Sequence, residues 1–188
     1  MDLSRMTRPE LIFPQIPGSD APTLLRAFAD RLAGEISGTR ADALYRRLLE
    51  REQLGSTGIG SGVAIPHCKL EGLARPVLAV GVTRQGIDFG AVDGEPVRLF
   101  FVLVSPQESP AEHLQVLAGI SKWVKADRHV DRILKSSDPQ TVYDLLRNSR
   151  EPVNVGGDFA SQLAALDTGV ANLQRIGRRY GPATLAAA

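Results

Sequence analysis

Residues 97–104 read Val-Arg-Leu-Phe-Phe-Val-Leu-Val, apolar at every position except Arg98. β-Branched and aromatic residues favour extended backbone, and the run is far short of the ~20 residues that cross a bilayer as a helix. A strand this apolar is buried on both faces, so the sheet it enters needs helices around it. Two further runs resemble strands, residues 77–83 and, more weakly, Ile87-Asp-Phe89, with Asp93-Gly94 as the turn before Val97. Leu11-Ile12-Phe13 reads either as an edge strand ended by Pro14 or as part of a loosely attached arm.

Helical periods fill most of the remaining chain. Asp20 caps a helix with Leu24, Leu25, Phe28 and Leu32 on one face and Gly34 as its stop. Thr39-x-x-Asp42 resembles a capping box for a second helix, with Leu44, Tyr45 and Leu48 inward and Arg46, Arg47, Glu50, Arg51 and Glu52 on the polar face. Ser109-Pro110-x-Glu112 opens a third, whose expected inward residues are Leu114, Leu117, Ser121 and Val124. Shorter helices follow around Val130, Ile133 and Leu134, and from Asp138-Pro139 through Val142, Leu145 and Leu146. Helices in irregular order with a few buried strands predict an α/β fold, a mixed central β-sheet flanked by α-helices.

The chain has 188 residues, 43% of them hydrophobic and 23% charged, enough to build a full core without disulfide staples. Twenty-two Lys and Arg against 21 Asp and Glu leave a net charge of +1 with no dense basic block, so nucleic acid is not an expected partner. The single Cys68 has no internal disulfide partner, residues 1–22 lack the pattern of a secretory signal, and no apolar stretch is long enough to span a bilayer. A cytoplasmic protein with no direct membrane insertion is therefore expected. The predicted organisation is an N-terminal arm over residues 1–10, one domain over 11–150, a Pro- and Gly-bearing linker over 151–158, an amphipathic helix over 159–181 and a disordered tail over 182–188.

Chemistry concentrates in Gly55-Ser-Thr-Gly-Ile-Gly-Ser-Gly62 and the Val63-Ala-Ile-Pro-His67 that follows. No Gly-Lys-Ser/Thr closes the loop and Val63 stands three past Gly60, so it is neither a P-loop nor a dinucleotide fingerprint, and no cofactor is expected. A glycine-rich turn aims backbone N–H groups at an anion, here from Thr57, Gly58, Gly60, Ser61 and Gly62. The imidazole of His67 is a nucleophile when neutral near pH 7, which makes a phosphoryl group the natural anion. On residues alone, His67 after Pro66 also reads as the end of a strand.

The segment Glu50-Arg-Glu-Gln-Leu-Gly-Ser-Thr-Gly-Ile-Gly-Ser-Gly-Val-Ala-Ile-Pro-His67 resembles the signature of the mannitol/fructose-type enzyme IIA domains of the bacterial phosphotransferase system. The resemblance extends less sharply over residues 11–146 and includes Gly86-Ile-Asp-Phe89 and Pro110-x-Glu-His-Leu114. It implies the enzyme IIA fold and a phosphohistidine carrier, in which His67 accepts a phosphoryl group from HPr or a nitrogen-branch relative of HPr. The family's Arg and second His fall on Arg51 and His113, and a guanidinium fork suits phosphoryl oxygens. Without the resemblance, Arg51 reads as a solvated surface charge and His113 as an ordinary surface or core histidine. Two departures stand out: the family's Gly-Asn-Gly is Gly60-Ser61-Gly62, and the usual small residue after the active histidine is Cys68.

A metal site from His67, Cys68, His113 and His129 is not expected, because residues 67 and 68 form a poor chelate pair and no His-x-x-His or Cys-x-x-Cys occurs. Acyl transfer by Cys68 is equally unexpected, since neighbours in extended chain point to opposite faces. The wording Leu54-Gly-Ser-Thr-Gly-Ile-Gly tilts the resemblance toward the nitrogen-regulatory branch, a regulator of nitrogen and general metabolism through bound target proteins. A sugar-specific enzyme IIA passing phosphate to a IIB cysteine, and an interaction module that takes no phosphate, are the alternatives. The apolar stripe Phe159, Leu163, Leu166, Val170, Leu173, Ile176 and Tyr180 needs a surface to cover, either its own domain or a second copy in a homodimer.

Overall fold

The computed structural model describes residues 2–147 apart from 37 and 127. The predicted linker, the 159–181 helix with its dimer reading, and the tail lie outside the described residues.

The long apolar run forms β6 (Val97–Pro106), the centre of a six-stranded mixed sheet. Along one side β6 pairs antiparallel with β5 (Val77–Ile87), and β5 pairs parallel with β1 (Ile12–Phe13). Along its other side lie, end to end and both parallel to it, β3 (Val63–Ala64) and β4 (His67–Leu70). A short antiparallel partner of β3, β2 (Gly58–Gly60), closes that edge. Strand side chains alternate between faces, and this splits the core. Phe100, Val102 and Val104 join a cluster with Leu24, Phe28, Leu32, Leu44 and Leu48, which are carried by α1 (Ala21–Ala33) and α2 (Ala41–Gln53). Leu99, Phe101 and Leu103 face the opposite cluster. There Val116, Leu117 and Ile120 of α3 (Pro110–Lys125), Ile133 of α4 (His129–Lys135) and Leu146 of α5 (Pro139–Arg147) complete a three-layer α/β arrangement.

Several local expectations need correction. The two strand segments 77–83 and 87–89 are one strand: β5 continues to Ile87 across a register shift after Val82. Exposed residues 84–86 in this bulged stretch interrupt the apolar alternation that marks a strand. Gly86 is required there, because a Cβ would come within 2.5 Å of Pro96. Helix α2 begins after Arg40 with no side-chain cap, since Asp42 turns to Arg26 of α1 (2.6 Å) instead of closing a box with Thr39. Ser109 and Pro110 do start α3, yet Ser109 makes no capping hydrogen bond. The buried stripe of α3 runs through His113, Val116, Leu117, Ile120, Ser121 and Trp123, which leaves Leu114 exposed. The Asp20 cap forms, with its carboxylate accepting from the Thr23 N–H at 2.8 Å. Before β1, Leu3–Met6 and Pro9–Leu11 form two short 3-10 turns, and their Leu3 and Leu11 are buried.

Candidate active site

Arg51 stands on the buried stripe of α2, one helical step beyond Leu44 and Leu48, so the helix that covers the sheet carries the guanidinium inward. It is only 9% exposed and lies in the last turn, where a cation complements the helix dipole. His67 opens β4, which among the described residues pairs only with β6, and the residue is 3% exposed. At that sheet edge it meets Arg51 from the α2 layer and His113 from the α3 layer. The His67 and His113 ring centroids are 5.3 Å apart, tilted by 53°.

Hydrogen bonding assigns the His67 tautomer. Nδ1 lies 2.7 Å from the Ile65 carbonyl, which can only accept, so Nδ1 carries the proton. Nε2 lies 3.0 Å from Nε of Arg51, which can only donate, so Nε2 presents its lone pair. Both contacts demand the same neutral ring. Arg51 is steadied in turn by an Nη1–H donated to the Gly55 carbonyl at 3.0 Å. His113 is fully buried, with Nδ1 2.9 Å from the Ser105 hydroxyl of β6.

The cavity in front of these side chains has a volume of about 220 Å³ and includes Arg47, Glu50, Leu54, Lys69 and Gln107 at its walls. That is smaller than the ~300–1,000 Å³ of sites that engulf drug-sized ligands, and Leu54 beside it is 56% exposed. Such a site suits a small anionic group delivered by a large partner. Among the described residues no three His, Cys, Asp or Glu side chains gather as a metal site.

Three amides of the glycine loop have partners within the fold. The Thr57 N–H is given to Glu52 (2.9 Å), the Gly58 N–H to the Ser56 hydroxyl (3.0 Å) and the Ser61 N–H to Asp93 (2.7 Å). Gly60 and Gly62 belong to the tight β2–β3 reversal, at φ 93° and 71°, and none of the five residues lines the cavity. The loop also braces the chain: the Thr57 carbonyl accepts the Ile65 N–H at 3.0 Å, and this holds the strand that delivers His67.

Cys68 borders the cavity and packs in the α1/α2 core cluster, where burial pushes its thiol up to about 12, so it remains protonated. Three contributors were not singled out beforehand: Ser105, Glu52 and Lys69. Lys69 stands two residues past His67 on β4, hence on the same face, a spacing readable in the sequence. Burial pushes the half-buried Glu52 carboxyl up to about 7, against the downward pull of its Thr57 hydrogen bonds and the Arg51 charge. Its role depends on a turn that no periodicity announces.

The model of the phosphoenolpyruvate-dependent sugar phosphotransferase system EIIA 2 family matches residues 5–149, and the chain belongs to this family of phosphotransferase components. It is 34% identical over 144 residues to a nitrogen regulatory protein of Pseudomonas aeruginosa, covering 77% of this chain and 94% of that one. Over 145 residues it is 32% identical to a fructose-specific EIIA component of Haloferax volcanii, covering 77% and 94%. The crystal structure of the nitrogen regulatory protein IIA-Ntr of Neisseria meningitidis superposes with a TM-score of 0.72 at 29% identity, over 77% of this chain and 98% of that one. The expected enzyme IIA fold is thereby established, and among the described residues no helix is long and apolar enough to cross a membrane.

Proposed function

We propose that this enzyme IIA domain is a cytoplasmic phosphohistidine carrier that takes its phosphoryl group on Nε2 of His67 from an HPr-type protein. The observation that carries the reading is the neutral His67 ring, with its proton on the Ile65 side and its lone pair toward Arg51. In the transfer, the Nε2 lone pair forms a P–N bond while the P–N bond of the donor phosphohistidine breaks. The donor ring leaves with that electron pair as neutral imidazole, its other nitrogen carrying the proton. The new phosphoimidazolium keeps Nδ1–H on Ile65. Arg51 moves its N–H donors from Nε2 to the phosphoryl oxygens, offsetting charge as it shifts between rings. His113, held by Ser105, packs against His67 and restricts its ring.

The likeness to nitrogen regulatory proteins supports a carrier that acts on target proteins according to its phosphorylation state. The likeness to a fructose-specific component supports the second reading, transfer onward to a IIB cysteine. The test is intact mass and peptide mapping after incubation with phosphoenolpyruvate, enzyme I and an HPr-type carrier, beside His67→Ala. One acid-labile phosphoryl group on His67 of the wild-type chain alone is expected. No labelling by active carriers overturns the proposal in favour of a phosphate-free interaction module, and adding IIB proteins or candidate targets separates the two onward routes.

A further inference from the structure

We propose that Glu52 is a positioning residue for this transfer: by clasping Thr57 it fixes both the Gly55 carbonyl that orients Arg51 and the Ile65 carbonyl that orients His67. The proposal rests on His67 as the phosphoryl acceptor. Helix α2 ends at Gln53, and Gly55, at φ 148°, takes the chain away from it. Two residues on, Thr57 returns to the helix. Its N–H donates to Glu52 Oε1 at 2.9 Å and its hydroxyl donates to Oε2 at 2.6 Å. The two contacts use both carboxyl oxygens of Glu52, so the group serves to close a turn.

Two paths lead from this clasp to the reacting pair. The first is covalent: Thr57 anchors the far end of residues 55–57, and the Gly55 carbonyl inside that turn accepts Arg51 Nη1–H at 3.0 Å. The second crosses to the next strand: the Thr57 carbonyl accepts the Ile65 N–H at 3.0 Å, and the Ile65 carbonyl holds His67 Nδ1 at 2.7 Å. One side chain therefore sets the relative position of the guanidinium and the ring. In the protonated carboxyl the hydroxyl roles reverse, with Glu52 donating to the Thr57 oxygen while still accepting its N–H, so the clasp survives a change of charge. A glutamine reproduces that pattern with its amide.

The experiment compares wild type, Glu52→Ala and Glu52→Gln with an HPr-type carrier phosphorylated by phosphoenolpyruvate and enzyme I, following single-turnover labelling of His67. Displacing a catalytic pair by about an ångström lowers rates by up to ~100-fold. Glu52→Ala is expected to slow transfer at saturating donor by roughly ten- to 100-fold with little change in the donor concentration for half-maximal rate, because Arg47 and Leu54 at the rim are untouched. Glu52→Gln is expected to retain most of the rate. Ring 15N shifts of His67 provide a readout independent of transfer: wild type shows the single Nδ1–H tautomer, and Glu52→Ala shows averaging between tautomers. Should Glu52→Ala fail to fold, Thr57→Val removes only the hydroxyl half of the clasp and is expected to slow transfer about threefold, the scale of one hydrogen bond of roughly 0.5–1 kcal/mol. Equal rates in wild type and a folded Glu52→Ala, or equal loss in the alanine and glutamine variants, overturn the proposal. If wild type itself takes no phosphate, the acceptor reading fails, and the ring shifts decide the clasp alone.

Discussion

The Nε–H of Arg51 donates to Nε2 of His67 across 3.0 Å, joining the last turn of α2 to the first residue of β4. The donor occupies the lone pair that attacks phosphorus in the proposed transfer, so in that reading the guanidinium both holds the ring ready and has to yield it. A Lys in place of Arg51 has one nitrogen for two acceptors, Nε2 and the Gly55 carbonyl, and cannot fork onto phosphoryl oxygens. Losing a charge-assisted hydrogen bond worth about 1.5–3 kcal/mol corresponds to roughly 10- to 150-fold in rate. Single-turnover labelling of His67 in Arg51→Lys is expected to fall by that factor with thermal stability little changed. Wild-type kinetics in this variant would remove the clamp role.

Behind the ring, Ser105 of β6 meets His113 Nδ1 at 2.9 Å where both groups are fully buried. Ser105→Ala leaves that nitrogen without its hydroxyl, and an unsatisfied buried polar group costs about 1–3 kcal/mol. Urea denaturation is expected to show a loss of that size. A double change, Ser105→Ala with His113→Phe, is expected to recover part of it, because the polar pair then disappears together. Additive losses in the pair of variants would show that the two groups are not coupled.

Cys68 follows His67 in β4 and borders the same cavity, yet it is buried in the core with Val104 and Leu48. Held near pKa 12 by burial, it presents no thiolate at neutral pH. A thiol-disulfide reagent is expected to label it only on the timescale of unfolding, and Cys68→Ala is expected to keep full transfer activity. Rapid labelling of the native chain would contradict this burial.

How much of this was legible beforehand follows from the range of each interaction. The stripe Leu24, Leu25, Phe28 and Leu32 announces α1, and the apolar run at 97–104 announces the central strand, because periodicity is local. His67, Arg51 and His113 were recognisable together only through a resemblance; their convergence depends on three elements meeting at one edge of the sheet. Register shifts escape periodicity, as Arg84, Gln85 and Gly86 show in splitting β5 into two apparent strands. The glycine loop was ambiguous for a physical reason. Its positive φ angles look the same whether a loop encloses an anion or reverses a hairpin, and only the partners of its amides, Glu52, Ser56 and Asp93, distinguish the two.

Ser61 carries φ 55° at the tip of that reversal, in the left-handed region. An L-residue with no compensating geometry pays about 1–2 kcal/mol there, whereas Asn, the usual family residue at this position, is better tolerated. The Ser61 N–H already has its acceptor in Asp93, whose carboxyl is held below the usual range by this bond and by the Glu95 N–H. Ser61→Asn keeps that amide. It is expected to stabilise the fold by about 0.5 kcal/mol, a rise in Tm of roughly 1–2 °C for a domain of this size. Unchanged transfer kinetics are expected alongside, since Ser61 does not reach the cavity.

Glu52 makes stability depend on pH in an unusual direction for a carboxyl. Burial raises its folded value from 4.5 to about 7, so between those values the native state holds a proton that the unfolded chain has released. The group's contribution is fully present below about pH 4.5 and is lost as pH rises through about 7. Allowing for its half-buried position, the loss is on the order of 2 kcal/mol. Glu52→Gln does not titrate. Urea melts from pH 5 to pH 8 are expected to show wild type losing stability relative to Glu52→Gln, with the two closest at the acidic end. A difference between the two chains that stays constant across this range would mean that Glu52 titrates in the native state as it does in the unfolded chain, and that burial does not hold its proton.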